Sequence, residues 1–199
     1  MPEGPNSENA SERRRRRVER LRHALRDPEP NVRTAVARAL ERLESREDVA
    51  FLVERLGSDD KLTRLNAVYG LGAVGDEKAL AALVRALRDP VEDIRAAAVR
   101  TLGELRAPAT LDPLVERLDD SSSLVRRQAI AALGAFGDAR VAPVLRSLLD
   151  EEDLEIVREV LRALGACRDP HAEPEILARI DHPDAGIRAA AAEALGWID

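Results

Sequence analysis

The dipeptide Leu-Gly recurs at Leu71-Gly72, Leu102-Gly103, Leu133-Gly134, Leu164-Gly165 and Leu195-Gly196, always 31 residues apart. One step earlier Leu40 fills the Leu slot, with Glu41 in place of the glycine. Seven residues before each Leu is an Arg slot, held by Arg33, Arg64, Arg95, Arg126, Val157 and Arg188. It is preceded by an apolar slot: Val32, Thr63, Ile94, Val125, Ile156 and Ile187. Six residues before the Arg is a polar slot of Asp27, Ser58, Asp89, Asp120, Glu151 and His182. A second apolar column runs through Leu25, Leu56, Leu87, Leu118, Leu149 and Ile180. A fixed period without insertions identifies a stack of like units, each burying its apolar face only against its neighbours. The units run approximately over 11–44, 45–75, 76–106, 107–137, 138–168 and 169–199, behind a tail at 1–10.

Each unit reads as two helices. In the third, Leu80, Leu83, Val84 and Leu87 lie at i, i+3, i+4 and i+7 and form one helical face. Asp89-Pro90 then supplies an N-cap residue and a first-turn proline for a second helix, whose stripe is Ile94, Ala98, Leu102 and Leu105. Gly75-Asp76 and Gly137-Asp138 close the second and fourth units, glycine supplying a left-handed C′ residue and Asp the next cap. Aromatic residues are only 2% of the chain, so the core is built from Leu, Val, Ile and Ala, which suits close helix packing better than sheets.

Asp-Pro, an apolar residue, Arg six positions after Asp, then Ala-rich sequence and Leu-Gly together resemble the HEAT repeat. The similarity extends from about Val18 to Asp199. Gly137-Asp138-Ala139-Arg140-Val141-Ala142-Pro143-Val144-Leu145 is close to the linker and first helix of the short HEAT-like repeats named after phycobilisome lyases. The resemblance implies an all-α fold: a right-handed α-solenoid of six two-helix repeats, about twelve helices. It further implies an Asp/Arg ladder linking turns to neighbouring helices, to which Asp27, Arg33, Asp89, Arg95, Asp120 and Arg126 conform. Ser58, Glu151, His182 and Val157 depart from the pattern, so gaps are expected at units two, five and six. Many functions share this scaffold, so the resemblance specifies the fold far more closely than the activity.

With helical positions spaced at 100°, Val32, Val36, Ala39, Leu40 and Leu43 of the first unit face the core. Ala37, Val68, Val99, Ile130, Leu161 and Ala192 lie on the flank against the next unit. The Leu-Gly glycine sits inside a helix, where it costs about 1 kcal/mol against Ala, and is expected to mark a close approach between backbones. Cys167 shares a column with Val74, Leu105, Phe136 and Ile198 and reads as a core thiol. His23, His171 and His182 stand apart, without partners at metal-ligand spacing. No phosphate loop, nucleophile elbow or zinc motif is present, so neither catalytic residues nor a metal or cofactor is expected. A single cysteine permits no intrachain disulfide. No apolar run approaches the roughly 18 residues of a membrane span, and a cytoplasmic location with no membrane partner is expected.

The function then turns on surfaces. Residues 1–9 are polar and expected to be disordered. A helix beginning near Ser11 carries the run Arg13 to Arg17, either as the solvated cap of the array or as a patch for nucleic acid or a membrane surface. At the other end Ile187, Ala191, Ala192 and Leu195 resemble an inner unit, so this end is expected either to pair, self-association included, or to continue into a longer array. Trp197 serves there either as a contact or as end packing. In HEAT arrays the second helices line a concave surface. Here the columns opposite the core stripe carry Arg38, Arg42, Arg100, Arg127, Arg158 and Arg162 against Asp93, Glu104, Glu155 and Glu193, net +2 in a chain of net charge −6. Leu62, Leu65 and Tyr69 add an apolar island flanked by Arg38 and Arg100. The expectation is a non-catalytic scaffold that binds an acidic or amphipathic partner segment through Arg38, Leu65, Tyr69, Arg100, Arg127, Arg158 and Arg162. A solvated face is the alternative for the ridge. Nucleic-acid binding through the concave and N-terminal arginines, or an accessory role in a bilin-lyase-like enzyme, are the alternatives for function.

Overall fold

The computed structural model describes the backbone of residues 10–198; the side chains at 10–12, 14, 15, 37, 38 and 40–48 lie outside the described residues. All regular elements among these residues are helical: α1 (Ala10–Ala24), α2 (Pro30–Arg55), α3 (Lys61–Val74), α4 (Glu77–Ala86), α5 (Glu92–Leu105), α6 (Leu111–Val115), α7 (Ser123–Phe136), α8 (Ala142–Arg146), α9 (Leu154–Cys167), α10 (Glu173–Leu177) and α11 (Ala185–Leu195). Short 3-10 turns at Pro108–Thr110, Glu116–Asp119, Ala139–Val141 and Pro170–Ala172 extend α6, α8 and α10. The fold is an α-solenoid. The chain divides between Phe51 and Leu52 into two compact units.

In the N-terminal unit α1 packs on α2 through Val18, Leu21, Ala24 and Val36. No turn interrupts the chain near residue 44; α2 runs unbroken for 26 residues, about 39 Å at the helical rise. The reason lies in residues 41–50. Glu-Arg-Leu-Glu-Ser-Arg-Glu-Asp-Val-Ala contains neither Gly nor Pro, whereas the other unit ends carry Gly75, Gly137, Pro108 or Pro170. Residues 45–55 thus continue α2 instead of opening a new helix. Leu25 and Val32 are left 40% and 39% exposed, where their counterparts Leu87 and Ile94 are buried.

In the C-terminal unit the second helices α3, α5, α7, α9 and α11 pack side by side, each against the next. The flank residues Val68, Val99, Ile130 and Leu161 are fully buried between them, while Ala192 is exposed and Ala37 lies outside the described side chains. The glycines set the spacing. A Cβ on Gly103 would lie 2.6 Å from the Ala132 methyl, one on Gly134 2.8 Å from Ala163 Cα, and one on Gly165 2.7 Å from Ala194 Cα. On Gly72 it would collide with Thr101 Cγ2. Each helix thus lies almost backbone to backbone against its successor, with Ala or Thr on the other side.

Asp76 and Asp138 cap as the sequence implies, but the second helices start two residues beyond the Asp-Pro slot. The helix α5 begins after Val91 without a side-chain cap, and Asp89 accepts the Val91 amide instead of capping the helix. Asp60, Asp76, Asp138, Asp153, Asp169 and Asp184 accept amides in the first turns of the helices they precede. Gly75 and Gly137 take the left-handed conformation at φ 63°. Arg106 and Arg168 occupy the same C-terminal position at φ 49° and 51°, a conformation costing a residue with a Cβ about 1–2 kcal/mol.

Candidate functional site

Two features set the geometry of the C-terminal unit, the arginine ladder and the exposed ridge of second helices. In the ladder each arginine uses its guanidinium twice. Arg95 donates from Nη1 to the carbonyls of Asp89 and Pro90, fastening its own turn. From Nε and Nη2 it donates to both carboxylate oxygens of Asp120, at 2.9 and 2.8 Å. Arg64 repeats the pattern, with Nη1 on the Ser58 and Asp59 carbonyls and the fork on Asp89 at 2.9 and 3.2 Å. Asp89 and Asp120 also accept the amides of Val91 and Ser122. The carboxylate therefore belongs to the following unit, 25 residues ahead, and the Asp six residues behind contributes only its carbonyl.

This direction of pairing changes the ladder read from the columns. Arg64 of the second unit is a full member, because its partner is Asp89 rather than Ser58. Arg33 fastens its own turn at the Asp27 and Pro28 carbonyls, and the position ahead of it is Ser58, which has no carboxylate. Asp27 accepts the amide of Glu29. Arg126 holds the Asp120 carbonyl, but Glu151 ahead of it is exposed and does not reach it. Arg188 holds the carbonyls of His182 and Pro183. Outer links add to these, with Arg117 donating to the Leu87 carbonyl and Arg179 to that of Leu149, each across 30 residues. Burial alone would raise the Asp120 pKa. The Arg95 fork, the Ser122 amide and nearby Arg117 outweigh it and hold the carboxyl below its ordinary range.

The exposed ridge carries two adjoining grooves. The first, about 370 Å³, is lined by Leu62, Leu65, Tyr69, Ala97, Arg100 and Leu124, with Lys61 and Asp93 paired at its rim. The second, about 380 Å³, is lined by Gly103, Glu104, Arg106, Ala131 and Ala135. Arg100 and Gln128 line both. At this junction Arg100 Nη2 donates to the Tyr69 hydroxyl at 2.6 Å, and its guanidinium carbon lies 5.5 Å from the ring centroid. The hydrogen bond and the cation–π contact hold a charged plane over an aromatic face. Leu62 is 66% and Tyr69 43% exposed, so an apolar step stands next to that charge.

The remaining ridge residues are not equivalent. Arg158 is paired with Glu155, and Arg162 with Glu159 at 3.3 Å and Glu193 at 3.9 Å. Arg127, half-buried, has no ion-pair partner among the described residues. The side chain of Arg38 lies outside the described residues. The ridge thus gathers Leu65, Tyr69 and Arg100, leaves Arg127 free beyond them, and engages Arg158 and Arg162 with neighbouring carboxylates. Glu155 and Glu159 stand three residues before their arginines, an i, i+3 spacing readable in the sequence.

Cys167 is buried, and burial, reinforced by the carboxylates of Asp138 and Asp169, pushes its thiol up to about 11. Trp197 is 57% exposed, with the Arg168 guanidinium 5.9 Å from its ring. Among the described residues no group of three His, Cys, Asp or Glu is placed to hold a metal ion, and no helix is long and apolar enough to cross a membrane.

Comparison with known proteins fits this architecture. One similar structure is the complex of CpcE and CpcF of phycocyanin lyase from Nostoc sp. PCC7120, at 29% identity and a TM-score of 0.67. The match covers 75% of this chain and 64% of that one, so the chain spans under two thirds of the length of that relative. A designed armadillo repeat protein in complex with the peptide (KR)4 aligns over 92% of this chain and 99% of its own at 19% identity and a TM-score of 0.59. YibA of E. coli aligns over 98% and 77% at 17% identity and a TM-score of 0.61. These two share the fold alone. No curated protein matches. The model of HEAT repeats matches residues 18–99, 56–122, 86–161 and 155–199, overlapping spans that run through all the sequence units, and the chain belongs to the HEAT-repeat family.

Proposed function

We propose that this chain is a non-catalytic, cytoplasmic protein-interaction scaffold, which captures an acidic or amphipathic segment of a partner on the ridge formed by α3, α5 and α7. The observation that carries this reading is the Tyr69–Arg100 pair at the junction of the two grooves. Its hydroxyl and π-face fix the guanidinium, so little side-chain entropy remains to be lost when a carboxylate docks. Leu62, Leu65 and Leu124 offer the adjoining apolar seat. Arg127 extends the positive charge, while Arg158 and Arg162 are secondary, since a partner must first exchange with Glu155 and Glu159. An exposed aromatic and arginine together have the composition of an interface hot spot.

The test is affinity purification of the chain from its native cells, followed by the same capture with the Tyr69→Ala, Arg100→Ala double variant. The partner held by the unaltered chain is lost from the variant and retained by a Glu152→Gln control. Unchanged capture by the double variant refutes the reading.

A second reading rests on the 29% likeness to the phycocyanin lyase chain. Under it the chain is an accessory subunit of a bilin-lyase-like enzyme and pairs with a second chain. Co-incubation with a tetrapyrrole then produces a shifted absorbance band; an unshifted spectrum ends it.

A further inference from the structure

We propose that the outward face of α1 is a second binding surface, and that it takes the phosphate backbone of a nucleic acid without reading its sequence. Residues 10–26 carry eight arginines against Glu12 and Glu19, a net charge of +6. The whole chain is at −6, so the remainder carries −12. Separation of charge on this scale concentrates a positive potential on one helix of an acidic protein.

The structure gives that charge a direction. Val18, Leu21 and Ala24 turn inward onto Val36, which occupies the apolar side of α1. Arg13, Arg16, Arg17 and Arg20, at i, i+3, i+4 and i+7, are exposed and line one open depression of about 460 Å³, to which half-buried Leu21 adds one edge. The row is about 10 Å long at the helical rise. Successive phosphates of one strand advance about 3.4 Å along a duplex axis, so this length spans three to four of them.

Capping the array does not account for this composition. A terminal helix needs a polar outer face, which mixed charges supply as well. Several arginines of the C-terminal unit are held that way, the exposed Arg140 by Asp138, and the half-buried Arg146 and Arg179 by Glu175 and Asp150 respectively. Among the described residues no carboxylate pairs with Arg13, Arg17 or Arg20, and like charges at i, i+3 and i+4 disfavour the helix that carries them. The arrangement gains its compensation when an external polyanion supplies the negative charge. Arginine rather than lysine provides the planar fork that fits phosphate oxygens. An anionic membrane fits less well, because an interfacial helix needs a free apolar face and that of α1 is committed to Val36.

The experiment measures fluorescence anisotropy of a labelled random 20-bp DNA duplex, and of the same sequence as duplex RNA, with the full chain. Vesicles of an anionic phospholipid form a separate arm. Phosphate contacts by Arg13, Arg17 and Arg20 predict a slope of log affinity against log salt of about −2.7, and roughly a fortyfold loss of affinity between 50 and 200 mM salt. Replacing the three together by Gln lowers affinity at 50 mM salt more than tenfold and flattens the slope toward zero. The corresponding Lys triple variant keeps the slope, and the Tyr69→Ala, Arg100→Ala variant binds duplex as the unaltered chain does. A DNA arm with no RNA binding, or the reverse, identifies which nucleic acid is read. No duplex binding at 50 mM salt overturns the proposal. So does an unchanged Gln variant, a Lys variant as weak as the Gln variant at equal helicity by circular dichroism, or tighter binding to vesicles than to either duplex.

Discussion

Gly103→Ala tests the close approach that holds the inner row together. The added methyl would lie 2.6 Å from the Ala132 Cβ and 3.0 Å from its Cα. Carbon atoms pack at about 3.5–4.0 Å, so α5 and α7 must separate locally by about 1 Å. Overpacking of this kind costs about 1–3 kcal/mol, and the better helix propensity of alanine returns up to about 1. The net expectation is destabilisation of about 1–2 kcal/mol. Ala132→Gly alone forfeits one buried methyl and some helix propensity, again about 1–2 kcal/mol. Combined, the two changes move the methyl from one helix to the other and remove the worst contact. The double variant is therefore expected to be at least about 1 kcal/mol more stable than the sum of the singles predicts. Urea unfolding followed by circular dichroism at 222 nm gives all four corners, with constant slopes required before the midpoints are compared. If Gly103→Ala stabilises the protein as an exposed helical glycine replacement would, or if the two changes are additive, the close-approach account is wrong.

Three further outcomes follow from the ladder and the core. Asp120→Asn leaves the Arg95 fork without its anion in a nearly buried site and lowers stability by about 3 kcal/mol at neutral pH. Because the native Asp120 pKa is depressed, its contribution is complete above the unfolded carboxylate value and is lost as pH falls through the native one; the gap between variant and parent in urea midpoint therefore narrows below about pH 4. Glu151→Asp places a shorter carboxylate at the position equivalent to Asp89 and Asp120, where Arg126 has an open fork; it completes a third rung and raises the urea midpoint by an amount equivalent to about 1 kcal/mol. Cys167, buried and with its thiol raised to about 11, stays unlabelled by a thiol reagent at pH 8 in the native protein and reacts once the chain is unfolded; rapid native labelling contradicts its place in the core.

The architecture was legible because period and helical spacing are properties of sequence alone. The columns for core and flank could be assigned from spacing, and the glycines were recognisable as close approaches because they interrupt otherwise good helices, whereas the caps of the second helices lie two residues beyond the polar column. The ladder was legible in its two columns but not in its direction, and therefore not in its membership: Arg64 joins it, while Arg33 and Arg126 hold only carbonyls. Asp89 and Arg95 stand six residues apart in one unit, yet the carboxylate that Arg95 grips is Asp120. A repeating sequence shows that two columns interact without showing which unit reaches which. A local signal did mark the unbroken α2, since residues 41–50 hold neither Gly nor Pro. The pairing of Arg158 with Glu155 and Arg162 with Glu159 was likewise written in an i, i+3 spacing. The left-handed Arg106 and Arg168 carried no such mark, because nothing about arginine favours that conformation. The joint between Tyr69 and Arg100 required knowing how far apart adjacent inner helices lie, which the period does not contain.

The glycine contacts of the inner row also have a mechanical meaning. Where Gly103, Gly134 and Gly165 meet Ala132, Ala163 and Ala194, no side chain long enough to flex lies between the backbones. Compressing this edge means driving backbone into backbone. The opposite layer consists largely of helices of five residues joined by 3-10 turns, with fewer hydrogen bonds to break. Residues 52–199 therefore behave like a strip with one stiff edge and one compliant edge. A ligand that bends the strip must do so by spreading or closing the outer layer, while the spacing of Tyr69 and Arg100 across α3 and α5 stays fixed like marks on a ruler.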